Sequence, residues 1–347
     1  MRALARLPGR AQVALSGERR VVVDGQTLDP QFQLVRALRR RRGLIGLTKP
    51  DLDFARARRQ FTREATVFAG PATRVRATRD LEIPGPGGSL RARHYLPPAD
   101  GPQPLLVYLH GGGFVFGDLD THDEPCRVLC AFARMHVLSV DYRLAPEHPF
   151  PAALDDTLAA LRWAREHAAA LGADPARVTI GGDSAGANLA TVAARLAARD
   201  GAAPLAQLLI YPPTDAITPR PSQELFGEGY ILTNADREMF TRYYIAHGSG
   251  TPGDDRISPL RARDLRGQPP ALVVTAGFDL LRDEGEAYSH ALAAAGNVAR
   301  LRRVDSLGHG FVNLGGVCPA ARRATIAIAR EWRALVDDVS RQAGAWA

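Results

Sequence analysis

Short apolar runs alternate with stretches of helical periodicity from about residue 81 onwards. The apolar runs predict strands at residues 105–109, 137–140, 178–181, 205–211, 271–275 and 299–304, and polar–apolar alternation predicts an edge or antiparallel strand at 89–95. Helical periodicity predicts helices at residues 152–170, 185–198, 284–295 and 320–336. Strands that alternate with helices are typical of an α/β protein with a mostly parallel central sheet flanked by helices.

Two segments depart from this alternation. Residues 1–80 contain a helical candidate at 32–42 and no predicted sheet strand, and residues 214–255 contain a helical stretch at 235–246. Ligands of open α/β sheets bind at the carboxyl ends of the strands, so we expect both segments to form a helical cap over that edge. The predicted division is an N-terminal arm at 1–80, a core at 81–213 and 256–347, and a cap insertion at 214–255.

Composition indicates a globular protein with a large core. The 347 residues are 46% hydrophobic and 23% charged, which excludes disordered, collagen-like and repeat-array chains. No apolar run approaches the roughly 20 residues that span a bilayer, and the basic N-terminus lacks the apolar stretch of a signal peptide. We therefore expect a cytoplasmic protein without stable membrane insertion.

Cysteine and metal-ligand patterns predict neither a disulfide framework nor a cofactor. Cys126 and Cys130 are four residues apart in a segment that looks helical, where they are expected to be buried, and Cys318 is distant in sequence. No spacing typical of a metal site is present, so we expect no metal and no other cofactor.

The excess positive charge is concentrated in the N-terminal arm. The net charge is +7, and residues 1–80 contain 18 basic against 7 acidic residues, with a run of arginines at 39–42. Such a run can bind polyanions or a membrane surface, but it is more often the solvated face of a helix. Because no nucleic-acid motif accompanies it, we favour the solvated face and expect no nucleic-acid partner.

The sequence from Gly182 to Gly186 predicts a nucleophile. It reads GDSAG and lies between a predicted strand and a predicted helix, which is the context of a nucleophile elbow. Small residues are needed on both sides of Ser184 because the turn is tight. The turn would raise the serine hydroxyl at a helix N-terminus, where N–H groups stabilise developing negative charge.

A serine nucleophile needs a base, a carboxylate that orients the base, and donors for an oxyanion. The glycines after His110 follow a predicted strand, and their N–H groups can converge on one point together with the N–H of Ala185. His110 itself is expected to anchor this loop by hydrogen bonding. The alternative is a flexible turn, which the order of the two motifs disfavours.

Three histidines follow the serine in the chain. His247 falls in the predicted cap and His290 within a helix, whereas His309 lies in a loop just after a predicted strand. The chain order Ser, Asp, His therefore favours His309 as the base.

The acid should lie between the serine and the base in the chain. Asp279 follows the predicted strand at 271–275 and is the preferred candidate. Asp283, Glu284 and Asp215 are the alternatives, although Asp283 and Glu284 have a sufficient structural reason at a helix start.

Taken together, the motifs resemble bacterial hormone-sensitive-lipase-like (family IV) carboxylesterases of the α/β-hydrolase fold. The matching stretches are HGGGFVFGD at 110–118, DYRLAPEHPFPAALDD at 141–156, GGDSAGANLA at 181–190, AGFDLLRDEGEAY at 276–288 and HGF at 309–311. The proline-rich stretch at 141–156 is interpreted as a structural brace behind the site.

The resemblance implies a serine esterase that hydrolyses short- to medium-chain carboxylic esters through an acyl-enzyme. It assigns the nucleophile to Ser184, the acid to Asp279 and the base to His309. It also implies that the oxyanion donors are the N–H groups of Gly111, Gly112 and Ala185. The chain departs from the family at Leu280, where proline is usual, and at Gly308, where a bulkier residue is common.

Two alternatives stay open. One is an acetylhydrolase, amidase or lactonase of the same fold, and the other is a non-catalytic small-molecule binder. A lipase that acts at lipid interfaces is less favoured, because the cap segments contain no long apolar helix. A small-molecule ester is the expected partner, and the resemblance also implies a possible homodimer through the strand at 299–304. Aromatic residues of the insertion could line the pocket or could simply pack the cap onto the core; they are Phe226, Tyr230, Phe240, Tyr243 and Tyr244.

Overall fold

A computed structural model describes residues 7–41, 53–246 and 250–344. Arg42 and His247 lie outside these ranges. The strands, numbered in chain order, are β1 Val22–Val23, β2 Gln26–Thr27, β3 Ala77–Gly85, β4 Gly88–Leu96, β5 Gln103–Leu109, β6 His136–Val140, β7 Ala173–Asp183, β8 Gln207–Ile210, β9 Ala271–Phe278 and β10 Ala299–Gly308.

The helices are α1 Gly9–Ser16, α2 Pro30–Arg41, α3 Phe54–Ala69, α4 Asp123–Ala133, α5 Ala152–His167, α6 Ala185–Arg199, α7 Pro221–Phe226, α8 Asn234–Ile245, α9 Arg282–Ala294 and α10 Pro319–Gly344. Turns of 3-10 helix lie at Pro259–Arg261 and Phe311–Leu314.

Eight strands form one sheet in the order β10-β9-β8-β7-β5-β6-β4-β3. The pairs from β10 to β6 are parallel, while β4 pairs antiparallel with both β6 and β3. The predicted α/β fold with a mostly parallel sheet is confirmed. The carboxyl ends of β5, β7, β8, β9 and β10 consequently meet at one edge of the sheet.

Apolar clusters cover both faces of the sheet, which explains why its central strands are almost continuously apolar. In β5, Leu106 and Tyr108 belong to one cluster, while Leu105, Val107 and Leu109 belong to the other. Successive side chains of a strand point to opposite faces, so one short apolar run serves both layers.

The arm contains more regular structure than the sequence predicts. Strand β3 begins before residue 81, β1 and β2 form a two-stranded antiparallel ribbon, and α1 and α3 join the predicted α2. The expectation of no sheet strand within residues 1–80 is therefore wrong. Edge strand β3 is half exposed and mostly polar, and α3 buries only Ala65 fully, so neither gives a strong apolar signal.

The part of the arginine run that the structure describes, residues 39–41, is paired within the arm. Arg39 binds Glu64, Arg40 binds Glu18, and Arg41 donates to the carbonyl groups of residues 15 and 16. These contacts agree with a helix face rather than a free polyanion site.

Strand β10 forms one end of the sheet, where the homodimer was expected, and that dimer stays a prediction. Within the described ranges no helix is long and apolar enough to cross a membrane. The same residues contain no cluster of histidine, cysteine and carboxylate side chains suited to a metal ion. The three cysteines are buried and unpaired.

Candidate active site

Each candidate reacting residue directly follows the last residue of a parallel strand, and the three strands lie close together in the sheet. Ser184 follows β7, Asp279 follows β9 and His309 follows β10. Because these strands run in the same direction, their ends bring residues that are far apart in the chain to one edge of the sheet. Both β9 and β10 extend beyond their predicted ends, up to the residue before each candidate.

Ser184 lies on a strained turn between β7 and α6. Its φ of 52° and ψ of −123° are rare for a residue with a side chain. Glycines make the turn possible, since a Cβ at Gly182 or at Gly186 would clash with the carbonyl of Leu109 on the adjacent strand. The predicted elbow is therefore present, with the hydroxyl held at the N-terminus of α6.

The structure brings Ser184, His309 and Asp279 into one hydrogen-bonded chain. His309 Nε2 lies 2.9 Å from Ser184 Oγ, and His309 Nδ1 lies 2.7 Å from Asp279 Oδ2. Since the carboxylate can only accept, Nδ1 carries the proton and Nε2 is left to accept from the serine hydroxyl. The Asp279 side chain is fully buried, and its other oxygen accepts from the N–H of Leu281 at 3.0 Å.

The alternative residues occupy other environments. His290 is exposed on α9. Asp215 accepts from the N–H groups of residues 217 and 218, Asp283 pairs with Arg282, and Glu284 accepts from the N–H of Thr214. Each alternative carboxylate therefore has a structural partner away from the candidate base.

The glycine loop differs from the expectation at Gly111. Its N–H donates to Asp183 Oδ1 at 3.0 Å, so it is engaged inside the protein and is not free for an oxyanion. Within the described ranges the N–H groups of Gly112, Gly113 and Ala185 donate no hydrogen bond. Gly111 is thus an anchor of the loop, and the free donors of the loop begin one residue later.

Asp183 is a central residue that sequence reasoning did not single out. The residue is 2% exposed, and its carboxylate also accepts from the Tyr108 hydroxyl at 2.8 Å and from the Tyr211 hydroxyl at 3.2 Å. Burial alone would raise its pKa, but nearby His122 and these hydrogen bonds hold the pKa of Asp183 below its ordinary value. The available signal was an acidic residue between the predicted strand at 178–181 and the candidate nucleophile.

Tyr211 connects this carboxylate to the candidate base. It follows β8, has a positive φ of 39°, and its ring centroid lies 4.6 Å from that of His309. Its hydroxyl donates to Asp183, so one buried side chain contacts both the base and the carboxylate that anchors the glycine loop.

His110 anchors the loop as predicted. Its Nδ1 lies 2.9 Å from the carbonyl oxygen of Gly111, and its ring stacks on Tyr142 with centroids 4.3 Å apart. The Tyr142 hydroxyl donates to the His110 carbonyl at 2.7 Å, which agrees with the predicted brace at 141–156. Burial and the neighbouring His122 lower the pKa of His110 to about 4, so this ring is neutral at physiological pH.

Helices α3 and α8 approach the glycine loop from outside the sheet. Arg58 on α3 donates to the carbonyl of Val115 at 2.9 Å, and the ring of Phe61 lies 5.7 Å from that of Phe116. From α8, the ring of Phe240 occupies the place where a Cβ at Gly113 would lie. The arm and the insertion therefore both contact the segment that follows β5.

Most of the insertion's candidate wall aromatics are packing residues. Phe226, Tyr230 and Tyr244 are buried, and Tyr244 stacks on Phe114 with centroids 3.8 Å apart. Phe240 and Tyr243 are half-buried, and of the two Phe240 contacts the glycine loop.

Comparison with known proteins identifies the family. A sequence model of a protein family described as having the α/β hydrolase fold matches residues 106–313. The chain belongs to the α/β-hydrolase fold family. The predicted fold class and the family resemblance inferred from the motifs are both confirmed.

Relatives of this α/β hydrolase include named esterases. The carboxylic ester hydrolase LipN of Mycobacterium tuberculosis is 49% identical over 315 residues, which cover 89% of this chain and 83% of LipN. An ethyl acetate hydrolase of Pseudomonas putida is 40% identical over 283 residues, which cover 80% of this chain and 89% of that hydrolase. The crystal structure of an α/β hydrolase from the metagenome of Lake Arreo, Spain, matches with a TM-score of 0.83 and 38% identity, covering 88% of this chain and 98% of that chain. The prediction of a hydrolytic enzyme agrees with these names.

Proposed function

We propose that this protein hydrolyses carboxylic esters, with Ser184 as nucleophile, His309 as general base and Asp279 as the acid that orients it. The observation that carries the proposal is the continuous chain of 2.9 Å and 2.7 Å contacts from the serine hydroxyl to a buried carboxylate. The esterase names of the relatives support the substrate class.

In the proposed reaction His309 takes the Ser184 proton as Oγ attacks the ester carbonyl carbon. The carbonyl oxygen becomes an oxyanion, and collapse of the tetrahedral intermediate breaks the bond to the alcohol oxygen. His309 gives its proton to the leaving alcohol and an acyl-enzyme remains. Water repeats the sequence, releasing the acid and restoring the serine. Asp279 stays ionised and stabilises the imidazolium that forms in each half.

The oxyanion donors are proposed to be the N–H groups of Gly112, Gly113 and Ala185. The first two belong to the glycine loop, and the third is at the first position of α6, where helix geometry leaves N–H groups without an intrahelical partner. Gly111 is removed from the expected set because its N–H is bound to Asp183.

The arm and the insertion are proposed to form a cap that shapes the substrate pocket. Support comes from the contacts of α3 and α8 with the glycine loop, and from the edge-on contact of Phe54 with Tyr243, whose ring centroids are 5.0 Å apart. We propose short to medium acyl chains as substrates. The ethyl acetate hydrolase relative and the aromatic ring over Gly113 favour a small pocket.

The test is hydrolysis of p-nitrophenyl esters from acetate to palmitate by wild type and Ser184→Ala. We expect the highest kcat/KM at short chains and a loss of about 10⁶-fold in kcat for the variant. Ser289→Ala, which removes a buried hydroxyl on α9, is the matched control and should leave turnover unchanged.

Covalent labelling separates a wrong substrate from a wrong nucleophile. An alkyl phosphonate ester with a p-nitrophenol leaving group should add its phosphonyl mass to wild type and to Ser289→Ala but not to Ser184→Ala. Labelling without ester turnover would redirect the search to other acyl compounds. Labelling of Ser184→Ala at the wild-type rate would overturn the assignment of the nucleophile.

A further inference from the structure

The start of α2 is attached to the strand that leads to His309. The N–H of Asp29 donates to the carbonyl of Ser306 in β10 at 2.8 Å, and Asp29 Oδ1 accepts from the N–H of Phe32 at 3.0 Å. One residue therefore caps the first turn of α2 and fixes it to the strand. The helix is held beside the last residues before the candidate base.

Phe32 fills the space beside Gly308. Its side chain is completely buried, and a Cβ at Gly308 would lie 2.9 Å from the ring atoms Cε1 and Cζ of Phe32. The same Cβ would lie 2.8 Å from the carbonyl oxygen of Phe278. The Phe32 ring and the end of strand β9 therefore both lie close to the same point beside the Gly308 backbone, immediately before His309.

We propose that Phe32 is a positioning residue for His309. The inference rests on the proposed function, in which His309 is the general base. The ring fills the space beside the backbone at 308 and restricts its movement, which keeps His309 Nε2 at 2.9 Å from Ser184 Oγ. Proton transfer depends steeply on this geometry, since a displacement of about 1 Å can cost about 10²-fold in rate.

The same N-terminal segment also contacts the strand end that carries the acid. Asp24 pairs with Arg282 at 2.8 Å, just after Asp279, and the side chain of Gln26 occupies the position of a Cβ at Gly277. The segment from the ribbon to α2 therefore lies against both β9 and β10 near their carboxyl ends. Its proposed role is to fix the distance between acid and base. Of its residues, Phe32 contacts the chain closest to the base, at Gly308.

The test compares Phe32→Ala and Phe32→Leu with Leu34→Ala in the full chain. Leu34 is also buried on α2, but two residues further on, so its side chain points to a different side of the helix. Steady-state hydrolysis of p-nitrophenyl acetate is measured well below each variant's unfolding midpoint. Thermal denaturation of each variant defines that limit.

Phe32→Ala is expected to lower kcat about 10- to 100-fold while KM changes little, because the acyl pocket is intact and the base is misplaced. Phe32→Leu refills most of the space and should recover kcat to within about threefold of wild type. Leu34→Ala should lose thermal stability with kcat within about twofold of wild type.

A second pair of variants tests the contact from the other side. Gly308→Ala should lower kcat because its Cβ meets the Phe32 ring. Adding Phe32→Ala to it should give a kcat above that of Gly308→Ala alone, although below wild type, because the Phe278 carbonyl contact persists. Additive losses would contradict a direct contact between the two positions.

The proposal is overturned if Phe32→Ala keeps its kcat while only its unfolding midpoint falls, or if Leu34→Ala loses as much kcat. Both results would make Phe32 a structural residue only. Failure of the proposed function has a different signature: wild type itself would neither hydrolyse the ester nor be labelled at Ser184.

Discussion

Replacing Asp183 by asparagine is expected to slow ester hydrolysis although no reacting group is removed. The carboxylate accepts hydrogen bonds from Gly111, Tyr108 and Tyr211. Asparagine has nearly the same volume, and its amide oxygen can face Gly111 and Tyr108 while its NH₂ group donates to the Tyr211 hydroxyl. The change that cannot be avoided is the loss of negative charge from all three contacts.

The size of the effect follows from those contacts. A hydrogen bond to a charged group contributes about 1.5–3 kcal/mol and a neutral one about 0.5–1.5 kcal/mol, so each contact loses about 1 kcal/mol. These three contacts predict a loss of about 3 kcal/mol in the free energy of unfolding, against a typical total of about 5–15 kcal/mol, and the 3.2 Å contact of His122 Nε2 with Asp183 Oδ1 adds to that loss. The variant should fold. Its weaker hold on Gly111 should misdirect the next N–H groups and lower kcat about 10-fold, a fraction of the 10²–10³ that removal of a whole oxyanion donor costs.

Tyr108→Phe is the matched control for this prediction. It removes a hydrogen bond to the same carboxylate oxygen and leaves the Gly111 contact charged, so the unfolding midpoint should fall while kcat stays within about threefold of wild type. The measurements are urea denaturation and p-nitrophenyl acetate hydrolysis. Equal rate losses in the two variants, or an unchanged kcat in Asp183→Asn, would refute a special role for the contact between Asp183 and Gly111.

Three further predictions concern acid stability, the loop and a buried acid. Burial lowers the pKa of His94 to about 4 and also lowers that of His136, so below about pH 6.5 the unfolded chain binds more protons than the folded one and stability decreases as the pH decreases. On acidification the thermal unfolding midpoint of His94→Gln should therefore fall less than that of wild type. Gly113→Ala, at a φ of +63° and against the Phe240 ring, should lower kcat/KM for p-nitrophenyl butyrate about 10-fold, and adding Phe240→Ala should restore only part because the backbone strain persists. Burial raises the pKa of Glu284 to about 7, so the contribution of the protonated side chain to stability is lost as the pH rises from about 4.5 to 7. The unfolding midpoint of Glu284→Gln should therefore rise relative to that of wild type over this range, and a constant difference would contradict the raised pKa.

The sequence predicted the central strands well because they are buried on both faces. Their apolar runs are short and continuous, and each lies close to its predicted position. Strand β3 was missed for the opposite reason: Arg79, Asp80 and Glu82 are exposed in this edge strand, so hydrophobicity gives no signal there. Helix α3 was missed likewise, since it contacts other segments through scattered arginine and aromatic side chains and fully buries only Ala65.

The proximity of Ser184, Asp279 and His309 was predictable because chain order and strand ends constrain their positions. The direction of individual N–H groups was not, and the expected donor Gly111 donates to Asp183 instead. Residue spacing cannot reveal which glycine of a run faces the substrate and which faces the core. That distinction depends on a carboxylate at the end of a neighbouring strand.

The glycine before the candidate base illustrates a second limit of the sequence. By itself Gly308 suggests a more mobile loop, because it has no side chain to pack. In the structure the neighbouring volume is occupied by Phe32, a residue from the other end of the chain. A missing side chain at one position is compensated by a ring from another element, and only the fold brings the two together.

Two levels of structure therefore determine the geometry of the site. The register of the parallel strands brings Ser184, Asp279 and His309 to one edge, and any residue after those strand ends would be brought there. The final distances depend on side chains outside the proposed triad: Asp183 holds the glycine loop, and Phe32 lies beside the backbone that precedes the proposed base. Substitutions inside the strands should therefore destabilise the fold, whereas substitutions at these supporting positions should lower kcat in a protein that still folds.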